Sequence, residues 1–132
     1  MAKEIFEKVL LVDDDLLTNT LNERLIQKGG LGKEVVITTN AQQALEYLES
    51  HLEDPPDLIF LDVNMPGMNG FEFLEAFQTT YRHLMSSVIM MLTTSVNSDD
   101  LNKARKYEGV SEYINKPLSL NTVLQIKEKY LG

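Results

Sequence analysis

Polar residues that can do phosphate chemistry stand directly after the short apolar runs of this chain. They are Asp13, Asp14 and Asp15, Asp62, Thr93 and Thr94, and Lys116. Two carboxylates about 4 Å apart repel by roughly 4 kcal/mol at an effective dielectric near 20. A fold tolerates such a group if it binds a hard cation, and Mg²⁺ prefers oxygen ligands, one or two carboxylates and a substrate phosphate. The residue types therefore predict a site that receives a phosphoryl group.

Phosphoryl transfer determines what each residue of such a site has to do. Its transition state is loose, with negative charge on three equatorial oxygens, so positioning and electrostatics supply most of the catalysis. We predict that Asp62 is the in-line nucleophile and forms an acyl phosphate. Asp14 and Asp62, with Asp13 acting through water, are predicted to hold the cation. Lys116 and the hydroxyl of Thr93 are predicted to pair with the remaining phosphate oxygens.

An alternation of strands and helices has to position these residues. Apolar and β-branched runs predict strands over residues 8–12, 34–38, 57–61, 87–92 and 110–114. Helical spacing and caps predict helices over 16–28, 41–50, 69–81 and 120–131, with a fourth helix between Ser98 and Gly109. The first of these helices carries Leu17, Leu21, Leu25 and Ile26 at helical spacing.

This alternation predicts an α/β fold, a doubly wound five-stranded parallel sheet with helices on both faces. In the strand order 2-1-3-4-5, strands one and three are neighbours and ligands bind at the carboxyl ends of the strands. That order places Asp13 and Asp14 beside Asp62. Each residue also has an ordinary interpretation as a cap, turn or solvated loop residue, but independent causes would scatter these residues over both edges of the sheet.

Composition excludes several classes of function. The length of 132 residues predicts a single domain, 1–132, with no output domain after the last helix. The net charge of −8 argues against binding nucleic acid, and the absence of cysteine excludes thiolate chemistry. No apolar run is long enough for a membrane span, and a cytoplasmic location is expected. His51 and His83 lack ligand spacing, and Met90 and Met91 are expected to pack in the core.

Four segments together resemble the signatures of two-component response-regulator receiver domains. They are LLVDDD at 10–15, LIFLDVNMPGMNG at 58–70, MLTT at 91–94 and YINKPL at 113–118. The resemblance covers nearly the whole chain and implies a flavodoxin-like (βα)5 fold. It implies a phosphoacceptor at Asp62, an acidic pair for Mg²⁺ at Asp13 and Asp14, a Mg²⁺-binding backbone carbonyl at Asn64, a switch hydroxyl at Thr93 and a phosphate-pairing lysine at Lys116.

The resemblance also implies a switch. Tyr113 matches an aromatic that rotates inward as Thr93 moves toward the phosphate. The Lys116–Pro117 peptide bond is cis in the family, although the sequence alone favours trans. Two positions depart from the family: Asn69 stands where Asp is frequent, and Thr94 where a small residue is common.

The function implied is a signalling domain that catalyses its own phosphorylation and dephosphorylation and is not otherwise an enzyme. Its donor would be a histidine kinase or histidine phosphotransfer protein. A downstream target would bind the face of the fourth helix, fifth strand and fifth helix, with candidate contacts at Leu101, Arg105, Tyr113 and Lys127. An intermediate carrier in a phosphorelay, and an excised receiver domain of a larger regulator or hybrid kinase, remain open.

Two rival classes fit the residues less well. A haloacid-dehalogenase-like phosphatase needs a second aspartate two residues after the nucleophile, where this chain has Asn64. A flavodoxin-like cofactor binder needs a glycine- and hydroxyl-rich phosphate loop after strand one. Three aspartates stand there instead and would repel a flavin phosphate.

Overall fold

The computed structural model describes residues 5–94, 102–103, 106 and 110–131. Along the chain these form β1 (Phe6–Val12), α1 (Leu16–Lys28), β2 (Gly32–Thr38), α2 (Ala41–Ser50), β3 (Leu58–Asp62), α3 (Gly70–Thr80), β4 (Val88–Thr93), β5 (Val110–Asn115) and α4 (Leu120–Leu131). The fifth predicted helix is α4. The predicted fourth helix lies mostly outside the described residues, of which 102–103 are helical.

All neighbouring strands are parallel, and their order is β2-β1-β3-β4-β5, which confirms the predicted sheet. Val12 lies opposite Leu61, and Asp62 lies opposite Leu92. The strands therefore end together, and the residues after β1, β3 and β4 meet at one edge. Asp62 and Thr93 are the last residues of their strands and not the first residues after them, a one-residue difference from the prediction.

The core has two layers because alternate residues of each strand point to opposite faces of the sheet. Leu10 and Val12 pack with α2 and α3, whereas Val9 and Leu11 pack with α1 and α4. The neighbouring methionines of β4 divide in the same way, Met91 into the first layer and Met90 into the second. Both are fully buried, as expected of core residues. Within the described residues, no helix combines the length and apolar character needed to cross a membrane.

Helix α1 has the predicted bounds, and its buried face includes polar residues. Its buried residues are Asn19, Asn22 and Ile26, at positions i, i+3 and i+7 of one helical stripe. Leu17 and Leu21, which share the predicted apolar series, are 66% and 50% exposed. Of the four apolar residues at helical spacing, Ile26 is buried, and two asparagines share its buried stripe.

Candidate functional site

Three carboxylates meet at the carboxyl ends of β1 and β3. The side chains of Asp13, Asp14 and Asp62 each offer an oxygen, and these oxygens all lie within 4.8 Å of one another. Asp13 and Asp62 are buried, whereas Asp14 is exposed. The predicted juxtaposition of the acidic pair with Asp62 is therefore present, with one carboxylate open to solvent and two beneath it.

Lys116 closes this group from the end of β5. Its Nζ lies 2.7 Å from Asp13 Oδ2 and 3.2 Å from Asp62 Oδ1, and its side chain is only 16% exposed. Its backbone N–H donates to the carbonyl oxygen of Thr93 at 2.7 Å, which fixes β5 against the end of β4. The Lys116–Pro117 peptide bond is cis, as the family resemblance implies and the sequence alone did not favour.

The remaining predicted residues surround the group at different depths. Thr93 is fully buried, and Thr94 beside it is exposed. The backbone N–H of Asn64 donates to Asp62 Oδ1 at 3.3 Å, so the loop after β3 contacts the carboxylate directly. Tyr113 lies half-buried in β5, opposite Met91. The roles of Thr93 and Tyr113 in a switch stay predictions.

The electrostatics of the site are unfavourable without a cation. Burial, and then the charge of Asp13, raise the pKa of Asp62 to about 6, although Lys116 and the Asn64 amide act against the rise. Burial lowers the pKa of Lys116, but hydrogen bonds and charge from Asp13 and Asp62 outweigh it, so the net shift is upward. Lys116 is therefore a fixed ammonium between two carboxylates.

The donor set fits Mg²⁺. Counted by formal charge, three carboxylates and one ammonium give −3 + 1 = −2, which one divalent cation neutralises. All three side chains of the group offer oxygen, the ligand atom that Mg²⁺ requires, and the exposed Asp14 leaves a path from solvent. Asp13, Asp14 and Asp62 are the side chains that would hold the ion.

Gly70 lets α3 begin against the backbone of Asp62. A Cβ added at Gly70 would lie 2.6 Å from the carbonyl oxygen of Asp62 and 2.9 Å from Cα of Val63, distances that side chains do not tolerate. The helix is started by a capping box, in which Asn69 Oδ1 accepts from Glu72 N–H and the Glu72 carboxylate accepts from Asn69 N–H. Asn69 thus caps the helix without the aspartate that is frequent in the family.

Asn19 is a residue of the site that the sequence analysis missed. Its Nδ2 donates to the carbonyl oxygen of Asp13 at 2.8 Å and, more weakly, to that of Thr38 at 3.4 Å. It is fully buried, and its Oδ1 has no hydrogen-bond partner among the described residues. Asn19 therefore joins α1 to the backbone that carries the acidic pair. The available signal was a pair of asparagines, Asn19 and Asn22, at helical spacing inside a predicted helix.

Comparisons with known proteins agree on one family. The family model described as the response regulator receiver domain matches residues 9–128. The chain is 32% identical to a probable methanogenesis regulatory protein, FilR2 of Methanothrix harundinacea, over 94% of this chain and 83% of that protein. It is 33% identical to the transcriptional regulatory protein CpxR of Escherichia coli over 85% of this chain, but spans only 44% of CpxR. A crystal structure of a two-component response regulator from Cytophaga hutchinsonii superposes with a TM-score of 0.87 at 30% identity, covering 96% and 97% of the two chains.

Proposed function

Because the chain belongs to the response regulator receiver domain family, we propose that it is a phosphoacceptor switch of a two-component system and that Asp62 accepts the phosphoryl group. The observation that carries this proposal is the convergence of Asp13, Asp62 and Lys116 below the exposed Asp14. Three carboxylates with a single ammonium retain a formal net negative charge, which suits a bound divalent cation.

Each residue has a separate task in the proposed transfer. A carboxylate oxygen of Asp62 attacks phosphorus and needs no general base, since an ionised carboxylate has no proton to lose. Lys116 supplies an ammonium 3.2 Å from that carboxylate, within reach of an oxygen of the incoming group. The hydroxyl of Thr93 and the amides after Asp62 donate to the others. A bound Mg²⁺ would neutralise part of the charge on the transferring group.

The proposed donor is a histidine kinase or a histidine phosphotransfer protein. An intermediate carrier in a phosphorelay and a receiver domain within a longer regulator remain alternatives, since the chain spans less than half of CpxR. A haloacid-dehalogenase-like phosphatase stays remote because the amide of Asn64 cannot shuttle a proton. In keeping with a signalling role, we propose that the domain phosphorylates and dephosphorylates itself.

The downstream partner and the place of action stay predictions. Of the four residues predicted to contact a target, Tyr113 and Lys127 are described, on β5 and α4, whereas Leu101 and Arg105 lie outside the described residues. A location in the cytoplasm and the organisation as a single domain are likewise predictions from the sequence.

The proposal is tested by labelling with acetyl phosphate and Mg²⁺, followed by mass spectrometry of the intact protein. We expect the gain of one phosphoryl group in the wild type and no gain in Asp62→Asn. Asp57→Asn is the matched control, because Asp57 lies before the other end of β3, where its carboxylate accepts from the Glu7 N–H. Undiminished labelling of Asp62→Asn would refute the assignment of the phosphoacceptor.

A further inference from the structure

Asp13 forms hydrogen bonds through both its backbone groups and both its carboxylate oxygens. Its backbone N–H donates to the carbonyl oxygen of Thr38 at 3.2 Å, and its own carbonyl oxygen accepts from Asn19 Nδ2 at 2.8 Å. Its Oδ1 accepts from the N–H of Asp15 at 2.9 Å, and its Oδ2 accepts from Lys116 Nζ at 2.7 Å. Asp13 therefore has a defined position, and its carbonyl group determines where the next residue of the chain begins.

The contact from Asn19 differs from the other three because it comes from a side chain inside a helix. Asn19 lies near the start of α1, it is fully buried, and its Nδ2 also lies 3.4 Å from the carbonyl oxygen of Thr38. One amide group thus links α1 to the end of β2 and to the residue that follows β1. A displacement of the first half of α1 would therefore displace the carbonyl group of Asp13.

The amide of Asn19 contributes little net stability to the fold. Its Oδ1 is buried and has no hydrogen-bond partner among the described residues. A buried acceptor without a partner costs a fold at least as much as a typical hydrogen bond contributes. Leucine at this position would remove the unpaired oxygen but would also leave the carbonyl of Asp13 without its donor, so the two effects oppose each other. The place of the amide beside the acidic pair therefore accounts for Asn19 better than stability does.

We propose that Asn19 is a positioning residue for the divalent cation. It holds the carbonyl group of Asp13, and through that group the exposed carboxylate of Asp14, where cation binding needs them. The inference rests on the proposed function, in which the three carboxylates of the site hold the ion. Groups that orient metal ligands without touching the metal change its affinity by about 10–100-fold when they are replaced. Because coupling between two sites is reciprocal, cation binding should in turn stabilise the first half of α1.

The first test is Mg²⁺ binding, measured by isothermal titration calorimetry on the wild type and on two variants that lack the amide. Asn19→Leu keeps a large branched side chain and Asn19→Ala does not, so their stabilities in urea should differ. Their dissociation constants for Mg²⁺ should nevertheless both rise about tenfold, because both lose the donor to Asp13. The matched control is Asn22→Leu, at a second buried asparagine on the same stripe of α1, and it should bind Mg²⁺ like the wild type.

Two further measurements separate positioning from a general loosening of the fold. In labelling by acetyl phosphate, Asn19→Leu should need about tenfold more Mg²⁺ to reach half of its maximal rate. In hydrogen exchange, Mg²⁺ should protect the amides of α1 more than those of α4 in the wild type. That difference should be lost in Asn19→Leu at saturating Mg²⁺, because the link between α1 and Asp13 is absent.

The outcomes distinguish this inference from the function on which it rests. Wild-type Mg²⁺ affinity in either Asn19 variant, with the wild type itself labelled normally, overturns the positioning role. The same holds if Asn22→Leu weakens binding equally, or if the loss of affinity follows the loss of stability from variant to variant. A wild-type protein that neither binds Mg²⁺ nor becomes labelled would instead overturn the proposed function itself.

Discussion

Replacing Asp62 with asparagine should stabilise the metal-free protein while abolishing its labelling. In the folded state, burial and the charge of Asp13 raise the pKa of Asp62 from its usual 3.8 to about 6. Above that pKa the protein must fold with a carboxylate whose charge its surroundings disfavour. Asparagine has nearly the same shape and carries no charge, and its Oδ1 can still accept from the N–H of Asn64.

The magnitude follows from linkage between protonation and folding. A shift from 3.8 to about 6 is about 2.2 pKa units, and at about 1.4 kcal/mol per unit the ionised carboxylate costs about 3 kcal/mol at about pH 7.5. The folded-state pKa lies above the unfolded value, so this cost is absent below about pH 4, grows between about pH 4 and pH 6, and is complete above about pH 6. The gain of Asp62→Asn over the wild type should follow the same course.

The assay is urea unfolding monitored by far-UV circular dichroism. Both proteins are measured at several pH values in the presence of a chelator. Comparing the two proteins at each pH cancels the titration of all other groups. Adding Mg²⁺ should then stabilise the wild type more than the variant, because the variant lacks one anionic ligand of the ion. The reasoning fails if the variant is no more stable than the wild type near neutral pH, or if its advantage is the same at about pH 4.

Substitutions at Gly70, Asn69 and Asn19, each with a control variant, test how the backbone around the site is held. Gly70→Ala should lower the free energy of unfolding by about 1–3 kcal/mol and slow labelling, because its Cβ would meet backbone atoms at the end of β3. Gly67→Ala, at a φ of +77° in open space, should lower the free energy of unfolding by about 1 kcal/mol without slowing labelling. Asn69→Ala should lower the unfolding free energy by about 1 kcal/mol, whereas Asn69→Asp should match the wild type in thermal unfolding, since it retains the cap. Asn19→Ala should lower stability by about 1–2 kcal/mol and weaken Mg²⁺ binding in calorimetry. Equal weakening by Asn22→Ala, which replaces another buried asparagine of α1, would contradict the positioning role of Asn19.

The strands and their order could be predicted because a buried parallel strand is a continuous apolar run, and such runs alternate with capped helices. Asn40 and Asp15 accept from the backbone at the starts of α2 and α1, as their side chains predict. With the strand order assumed, the carboxyl ends of β1 and β3 lie at the same edge of the sheet, and this places Asp13 beside Asp62. The site was thus predictable to the extent that it depends on where strands end.

The inner face of α1 could not be predicted from apolar spacing. That spacing assumes leucine inside and asparagine outside, but here Asn19 is fully buried and donates to the carbonyl of Asp13. The contact depends on a strand end that is distant in sequence, and helical periodicity contains no information about it. The cis bond at Pro117 likewise could not be predicted from the sequence alone, since the local preference is for trans.

The position of Lys116 determines how the charge of the two buried carboxylates is balanced. Its ammonium lies nearer to Asp13, at 2.7 Å, than to Asp62, at 3.2 Å. Asp62, the proposed nucleophile, therefore lies farther from the ammonium than Asp13 does, which agrees with its raised pKa. A second ammonium in place of a divalent cation would cancel less of the charge, and it would also bind the oxygens of Asp62 that we propose attack phosphorus. One lysine and an exchangeable divalent cation would balance the charge of the carboxylates without permanently occupying Asp62. We therefore expect the metal-free fold to be less stable than its core alone would allow.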